Sequence, residues 1–182
     1  MERLATPDEI VAFWREAGPD RWFTKDEGFD RTCRDRFGFT YEAAARGDLG
    51  EWELTPEGAL ALVLLLDQFP RNMFRGTKAA YRTDPAALMA ADRAIEKGYD
   101  RKVDPALRCF FYLPFMHAED LAQQERSLAL NESLGDPEIT KWARHHQEIV
   151  ARFGRFPHRN AILGRETTPE EAQFLEESDF RG

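Results

Sequence analysis

Apolar side chains recur at helical spacing along most of the chain. Apolar residues three or four positions apart form one stripe on a helix. The stripes predicted in this way comprise Ile10, Phe13, Trp14 and Ala17; Phe29, Cys33 and Phe37; Leu88, Ala91 and Ile95; Leu121, Leu128, Ala129 and Leu130; and Ile139, Trp142, Ala143, His146, Ile149, Val150 and Phe153. No segment shows the sustained apolar–polar alternation of a half-buried strand. The pattern predicts an all-α fold.

Helix start signals accompany these stripes. Thr6-Pro7-Asp8-Glu9 combines an N-cap threonine, a proline at the first helical position and a glutamate at the third, which is a capping box. Thr168-Pro169-Glu170-Glu171 repeats it. Related openings are Thr55-Pro56, Asp84-Pro85, Asp104-Pro105 and Asp136-Pro137. We expect roughly seven to nine helices, packed as consecutive antiparallel pairs with short connections.

The run from Ala59 to Phe69 is apolar on almost every side, so this helix is predicted to be central. No linker or low-complexity segment interrupts the 182 residues. We therefore predict a single domain over residues 1–182, with loops at residues 18–28 and 47–54.

Charge and composition exclude several classes of function. The formal net charge of -8 argues against a general nucleic-acid binder, which needs a basic surface. The N-terminus has no apolar signal core, and the longest apolar run is too short to cross a bilayer. Cys33 and Cys109 lie far apart and are expected to be reduced thiols. These features predict a cytoplasmic protein that binds neither nucleic acid nor membrane.

Two segments repeat the same unusual residue order, and we call them the first and second Arg-Asn segments. The first covers residues 67–76 and contains Phe69-Pro70-Arg71-Asn72; the second covers residues 155–165 and contains Phe156-Pro157-His158-Arg159-Asn160. Arginine and asparagine are costly to bury without partners. Either the protein or a ligand must therefore hydrogen-bond these side chains.

Four strings of the chain together resemble a known family. They are residues 65–72, 111–121, 124–127 and 152–160. In this order and spacing they strongly resemble the bacterial domain of unknown function 924. The resemblance implies an all-helical fold related to tetratricopeptide (TPR) superhelices and implies no established reaction, substrate or cofactor. The TPR repeat of about 34 residues cannot be traced here, so the likeness concerns helix stacking.

The first functional hypothesis is a pocket for a small anionic ligand, a carboxylate or a phosphate. The polar residues proposed to line it are Arg71, Asn72, Arg155, His158, Arg159 and Asn160, with Phe69, Phe74, Tyr112 and Phe156 as apolar walls. A guanidinium offers a planar donor fork that suits such anions. Asp67 follows three leucines on the same helix, and an arginine of the second segment is its expected partner.

His117 and Glu119 are the candidates for acid–base chemistry, as a base and the group that orients it. Whether the protein is an enzyme stays open, because no reaction follows from the sequence. Asp120 fits the first turn of a helix, where a carboxylate complements the dipole. His145 and His146 lack metal-ligand spacing, and His146 follows the apolar stripe, so it is predicted to be a core residue. No metal or cofactor is predicted.

Two other hypotheses compete with the anion pocket. Stacked helical hairpins can form a concave surface that binds a protein or peptide partner. Alternatively, both Arg-Asn segments are purely structural. In that reading Pro70 and Pro157 end or redirect the chain, and the polar pairs satisfy the exposed helix ends.

Overall fold

The computed structural model describes residues 3–178, which form helices and connecting loops without a strand. The α-helices in this part of the chain are α1 (Pro7–Ala17), α2 (Pro19–Trp22), α3 (Glu27–Arg46), α4 (Pro56–Met73), α5 (Asp84–Glu96), α6 (Leu113–Met116), α7 (Leu121–Glu132), α8 (Pro137–Phe153), α9 (Asn160–Leu163) and α10 (Pro169–Glu177). Short 3-10 segments join several of them. The all-α prediction is confirmed, and the number of helices is close to the predicted range.

The chain divides into two compact units, the first ending at Pro114 and the second beginning at Phe115. Helices α1 to α5 belong to the first unit, and α7 to α10 belong to the second. The single domain over residues 1–182 and the TPR-like superhelix stay predictions. No helix formed by residues 3–178 is both long enough and apolar enough to span a membrane.

Helix α4 is the centre of the first unit. It packs against α1, α3 and α5, and every residue from Gly58 to Pro70 is buried. A helix with neighbours on several sides must be apolar around its whole circumference, which explains the unbroken apolar run. The rings of Trp14 and Phe37 pack on Phe69, with centroids 5.3 and 5.2 Å away. The prediction of a central helix is confirmed.

The start of α4 shows why its opening lacks the acidic residue of a capping box. Thr55 caps the helix by accepting a hydrogen bond from the Gly58 N–H at 3.1 Å. A Cβ atom on Gly58 would lie 2.2 Å from the carbonyl oxygen of Trp52. The close approach of this backbone therefore requires glycine at the third helical position.

Pro70 lies inside α4, which continues to Met73. Of the two roles expected for this proline, ending the helix is therefore wrong. Because proline has no N–H, the carbonyl of Leu66 four residues earlier loses its helical donor. The hydroxyl of Thr83, a buried residue just before α5, donates to that oxygen at 2.6 Å. This tertiary hydrogen bond replaces the one that the missing N–H of Pro70 cannot make.

The second unit contains the helices α7 and α8, which pack along each other. Helix α8 buries Ala143, His146, Ile149 and Val150, as its stripe predicts. Trp142 of the same predicted stripe is 52% exposed. The stripe is thus wider than the face of α8 that its neighbours cover.

The stripe predicted on α7 is wrong. Leu121 and Ala129 are exposed and Leu128 and Leu130 are half-buried, whereas the buried residues of this helix are Gln124, Ser127 and Asn131. Hydrophobic periodicity misses this face because its side chains are polar and hydrogen-bond inside the fold. The polar face of α7 is unusual for a helix packed in a core.

We expect replacement of Thr83 by valine to lower the free energy of unfolding by about 1–3 kcal/mol, because the buried Leu66 carbonyl loses its donor. Thr83→Ser keeps the hydroxyl and should lose less than half as much. Urea unfolding at neutral pH measures both values. A Thr83→Val protein as stable as the wild type would show that the hydrogen bond is not needed to compensate for Pro70.

Candidate functional site

The first Arg-Asn segment occupies the last turns of α4, where Arg71 joins α4 to the start of α5. Its Nη1 and Nη2 atoms donate to the two carboxylate oxygens of Asp84 at 2.8 and 3.0 Å. Nη1 also donates to the Asp67 carbonyl oxygen at 2.8 Å. A bidentate pair of this kind fixes both distance and orientation.

Asp67 is fully buried, so its carboxylate requires partners. Its Oδ1 atom lies 3.2 Å from Nη1 of Arg71, one helical turn away, and the Gln68 side-chain amide donates to Oδ2. Asp67 thus has a cationic partner within its own segment. Pairing with an arginine of the second segment stays a prediction.

Asn72 and Arg75 join α4 to α3 through a shared carboxylate. The Asn72 amide donates to Asp30 Oδ1 at 2.8 Å, and Arg75 donates to both oxygens of Asp30, at 2.8 and 3.0 Å. Asp30 is itself buried. These contacts match the structural interpretation of the first Arg-Asn segment, because its donors hold three helices together.

In the second unit, the carboxylate of Glu171 is a centre of hydrogen bonding for the second Arg-Asn segment. Arg155 donates to both of its oxygens, at 2.7 and 2.9 Å, and the Asn160 amide donates at 3.1 Å. The backbone N–H of Thr168 donates to the same carboxylate and completes the capping box of α10. The hydrogen bond from Arg155 lowers the pKa of Glu171 to about 2, although burial alone would raise it.

Glu119 and Arg165 form a second pair that holds the backbone of Phe156. Arg165 donates to both carboxylate oxygens of Glu119, at 2.8 and 2.9 Å. Glu119 accepts the Phe156 N–H at 2.8 Å, and Arg165 donates to the Phe156 carbonyl oxygen at 3.1 Å. Arg165 also donates to the Asn160 side-chain oxygen at 3.0 Å, which connects this pair to Glu171.

Burial alone would raise the pKa of Glu119, but the hydrogen bonds from Arg165 and the Phe156 N–H outweigh it and lower the pKa. A carboxylate held ionised in this way is a poor proton carrier near neutral pH. The described bonds of Glu119 therefore favour a positioning role over acid–base chemistry, and its proposed orientation of His117 stays a prediction.

The Phe156 ring lies close to the side chains of Arg159, His146 and His158. The guanidinium carbon of Arg159 lies 4.6 Å from the ring centroid. The rings of His146 and His158 lie 5.6 and 5.7 Å from it. Arg159 is only 6% exposed, and its Nη2 atom donates to the His117 carbonyl oxygen at 3.0 Å.

His146 is a neutral core residue, as predicted. Burial lowers its pKa to about 3. Its Nδ1 atom lies 2.8 Å from the carbonyl oxygen of Trp142, which can only accept, so Nδ1 carries the proton. Among the side chains of residues 3–178, no three His, Cys, Asp or Glu are grouped to hold a metal ion.

Three of the four predicted apolar walls lie in the cores of the two units, and the fourth, Phe74, is half-buried. Phe69 and Tyr112 are fully buried in the first unit, and Phe156 is fully buried in the second. The Tyr112 hydroxyl donates to Asp100 at 2.6 Å and accepts from Arg108 at 2.7 Å. A single pocket lined by both Arg-Asn segments stays a prediction.

Apart from Asp67, the carboxylates that pair with these arginines were not predicted from the sequence. They are Asp30, Asp84, Glu119 and Glu171, of which only Glu119 was a candidate, for another role. A local signal existed for Glu171, because the capping box places its side chain back towards the start of α10. No local signal exists for its bonds to Arg155 and Asn160.

Comparison with known proteins extends the similarity to the whole fold. The model of a family described as a bacterial protein of unknown function (DUF924) matches residues 10–179. The solved structure of a protein of unknown function, ATU0120 from Agrobacterium tumefaciens, is 56% identical, covers 94% of this chain and 97% of that chain, and has a TM-score of 0.92. No curated protein gives a match.

We expect Glu171→Gln to lower the free energy of unfolding by about 2–3 kcal/mol at neutral pH, because Arg155 loses its charged acceptor. The pKa of Glu171 is lowered from 4.5 to about 2. The stabilisation that its charge provides is therefore complete above about pH 4.5 and is lost as the pH falls through about 2. The difference between wild type and variant should therefore shrink over that interval.

Urea unfolding between pH 7 and pH 2 measures this difference. Glu170→Gln is the matched control, since Glu170 pairs with Arg152 at an exposed position and should change the stability by less than about 1 kcal/mol. A difference for Glu171→Gln that stays constant down to pH 2 would contradict the assigned role of its charge.

Proposed function

The chain belongs to the bacterial family of unknown function DUF924, and we propose that it binds a small carboxylate or phosphate anion at Arg159. His117 and His158 belong to the proposed site, since the His117 carbonyl oxygen accepts a hydrogen bond from Arg159 and the His158 ring lies 5.7 Å from the Phe156 ring. The observation that carries the proposal is the placement of the buried Arg159 guanidinium over the Phe156 ring.

The guanidinium of Arg159 is held by two described contacts with the protein. The Phe156 ring supports one side of it, and the bond to the His117 carbonyl oxygen fixes one donor. A side chain that is already ordered loses little conformational entropy when it binds a ligand. Burial also strengthens its attraction for an anion, because the surroundings screen charge less than water does. Both effects favour recognition of a small anion.

The remaining arginines of the second Arg-Asn segment, Arg155 and Arg165, hold the structure around this site. Arg155 binds Glu171 and Arg165 binds Glu119, and the latter pair also binds the Phe156 backbone on both sides. The ring that supports Arg159 is thereby fixed. Asn160 is fully buried and connects these two ion pairs through its hydrogen bonds with Glu171 and Arg165.

In the first Arg-Asn segment, Arg71 and Asn72 hydrogen-bond Asp84 and Asp30, and we assign them a structural role. Asp67 belongs to the same ion-pair network. The proposed ligand site is therefore narrower than the sequence predicts, since it is centred on one segment. A reaction is not part of the proposal, because the described contacts identify no group that donates or removes a proton.

Binding of acetate and inorganic phosphate to the wild type, Arg159→Met and Arg152→Met proteins tests the proposal. Arg152 is the matched control, because it lies in the same region but pairs with Glu170 at the surface. An anion at a concentration one hundred times its Kd stabilises a protein by about 2.7 kcal/mol. At this chain length that raises the melting temperature by about 5–10 °C.

We expect this rise in the wild type and in Arg152→Met, and its loss in Arg159→Met. Isothermal titration calorimetry of the same three proteins separates binding from changes in intrinsic stability. Arg159→Lys, which keeps the charge but not the planar fork, should bind more weakly than the wild type. Equal anion binding by the wild type and Arg159→Met would refute the proposed site.

A further inference from the structure

The buried face of α7 is polar throughout. Gln124, Ser127 and Asn131 are all fully buried, and no apolar residue of this helix is. Buried polar groups normally find hydrogen-bond partners inside the protein. The partners of these three side chains therefore indicate the role of the buried face of α7.

The Gln124 amide is fixed by three carbonyl oxygens. Its Nε2 atom donates to Met116 and Ala118 at 2.7 Å each, and to Phe115 at 3.4 Å. Since carbonyl oxygens only accept, the amide cannot be turned over, and its Oε1 atom must point the other way. Within residues 3–178, no donor reaches this buried oxygen. A buried acceptor without a hydrogen-bond donor lowers the free energy of unfolding by about 1–3 kcal/mol.

Gln124 and Arg159 are attached to the same short stretch of backbone. Gln124 binds the carbonyl oxygens of Met116 and Ala118, and Arg159 binds the oxygen of His117 between them. Consecutive Cα atoms are about 3.8 Å apart, so the two side chains are anchored within a few ångströms of each other. The buried Arg159 and the buried Gln124 are thus anchored at neighbouring backbone positions of the second unit.

We propose that the anion bound at Arg159 carries a hydrogen-bond donor of its own, which the Oε1 atom of Gln124 accepts. The preferred ligand class is therefore a hydroxy- or aminocarboxylate or a protonated phosphate, and a bare carboxylate or sulfate binds more weakly. This inference rests on the proposed function and adds the selectivity of the same site. A buried acceptor discriminates strongly, because a ligand without a donor leaves it unsatisfied.

Asn131 provides a comparison on the same face of α7. Its amide donates to the Ser127 carbonyl oxygen at 2.8 Å, and its own side-chain oxygen also has no donor among residues 3–178. It lies seven residues after Gln124, about 10 Å along the helix axis. One small ligand at Arg159 does not reach that far, so substitution of Asn131 should leave the selectivity unchanged.

Two matched pairs of probes test the selectivity by calorimetry. Lactate differs from propionate by one hydroxyl, and at pH 7 inorganic phosphate carries a proton whereas sulfate carries none. We expect the wild type to bind the donor-bearing member of each pair about five- to tenfold more tightly. Gln124→Lys keeps donors for the three carbonyl oxygens but removes the acceptor, so this preference should disappear. Asn131→Leu should retain it.

A measurement on the wild type alone keeps the test independent of how the variants fold. Lactate, but not propionate, should shift the NMR signals of the Gln124 side-chain amide. Binding that does not depend on Arg159 would overturn the proposed function itself. Arg159-dependent binding with equal affinities within each pair, no selective shift, or a preference that survives in Gln124→Lys would overturn this inference alone and assign the Gln124 acceptor to ordered water.

Discussion

The ion pairs of the second Arg-Asn segment are the interaction on which the second unit depends. Glu171 accepts hydrogen bonds from Arg155 and Asn160, and the side-chain oxygen of Asn160 accepts one from Arg165. Arg165 in turn shares Glu119 with the Phe156 backbone. Glu171 and Asn160 are buried, whereas Arg155, Glu119 and Arg165 are half-buried. Removal of an arginine therefore leaves a buried or half-buried acceptor without its donor, which is the costly event in such networks. This network fixes the Phe156 ring and thereby the guanidinium of Arg159.

The two Arg-Asn segments use the same residues in different ways, for a geometric reason. Successive residues of a helix point about 100° apart, so an adjacent arginine and asparagine reach different neighbours. In the first unit, Arg71 reaches α5 and Asn72 reaches α3, and both meet aspartates. In the second unit, Asn160 joins the carboxylate network while Arg159 lies over an aromatic ring. The placement of the buried Arg159 guanidinium over the Phe156 ring is why we propose a ligand there, and the bidentate bond to Asp84 is why we assign Arg71 a structural role.

Sequence reasoning succeeded where structure depends on neighbours along the chain. The capping boxes at Thr6 and Thr168 form as predicted, and the apolar run within α4 is buried. It failed where the tertiary environment reverses a local rule. Pro70 remains inside a helix because Thr83, thirteen residues away, supplies the missing donor. The face of α7 is polar because Gln124 satisfies the carbonyls of the preceding turn.

By itself the sequence determined the all-α class, several helix starts, the central helix and the need of its buried arginines for partners. Capping and periodicity act over a few residues, so the order of residues is enough to reveal them. Only the tertiary structure decided which carboxylates become the partners. Arg75 and Asp30 are 45 residues apart, and Arg165 and Glu119 are 46. Such pairs form only when packing brings distant helices together, and no local pattern encodes that proximity.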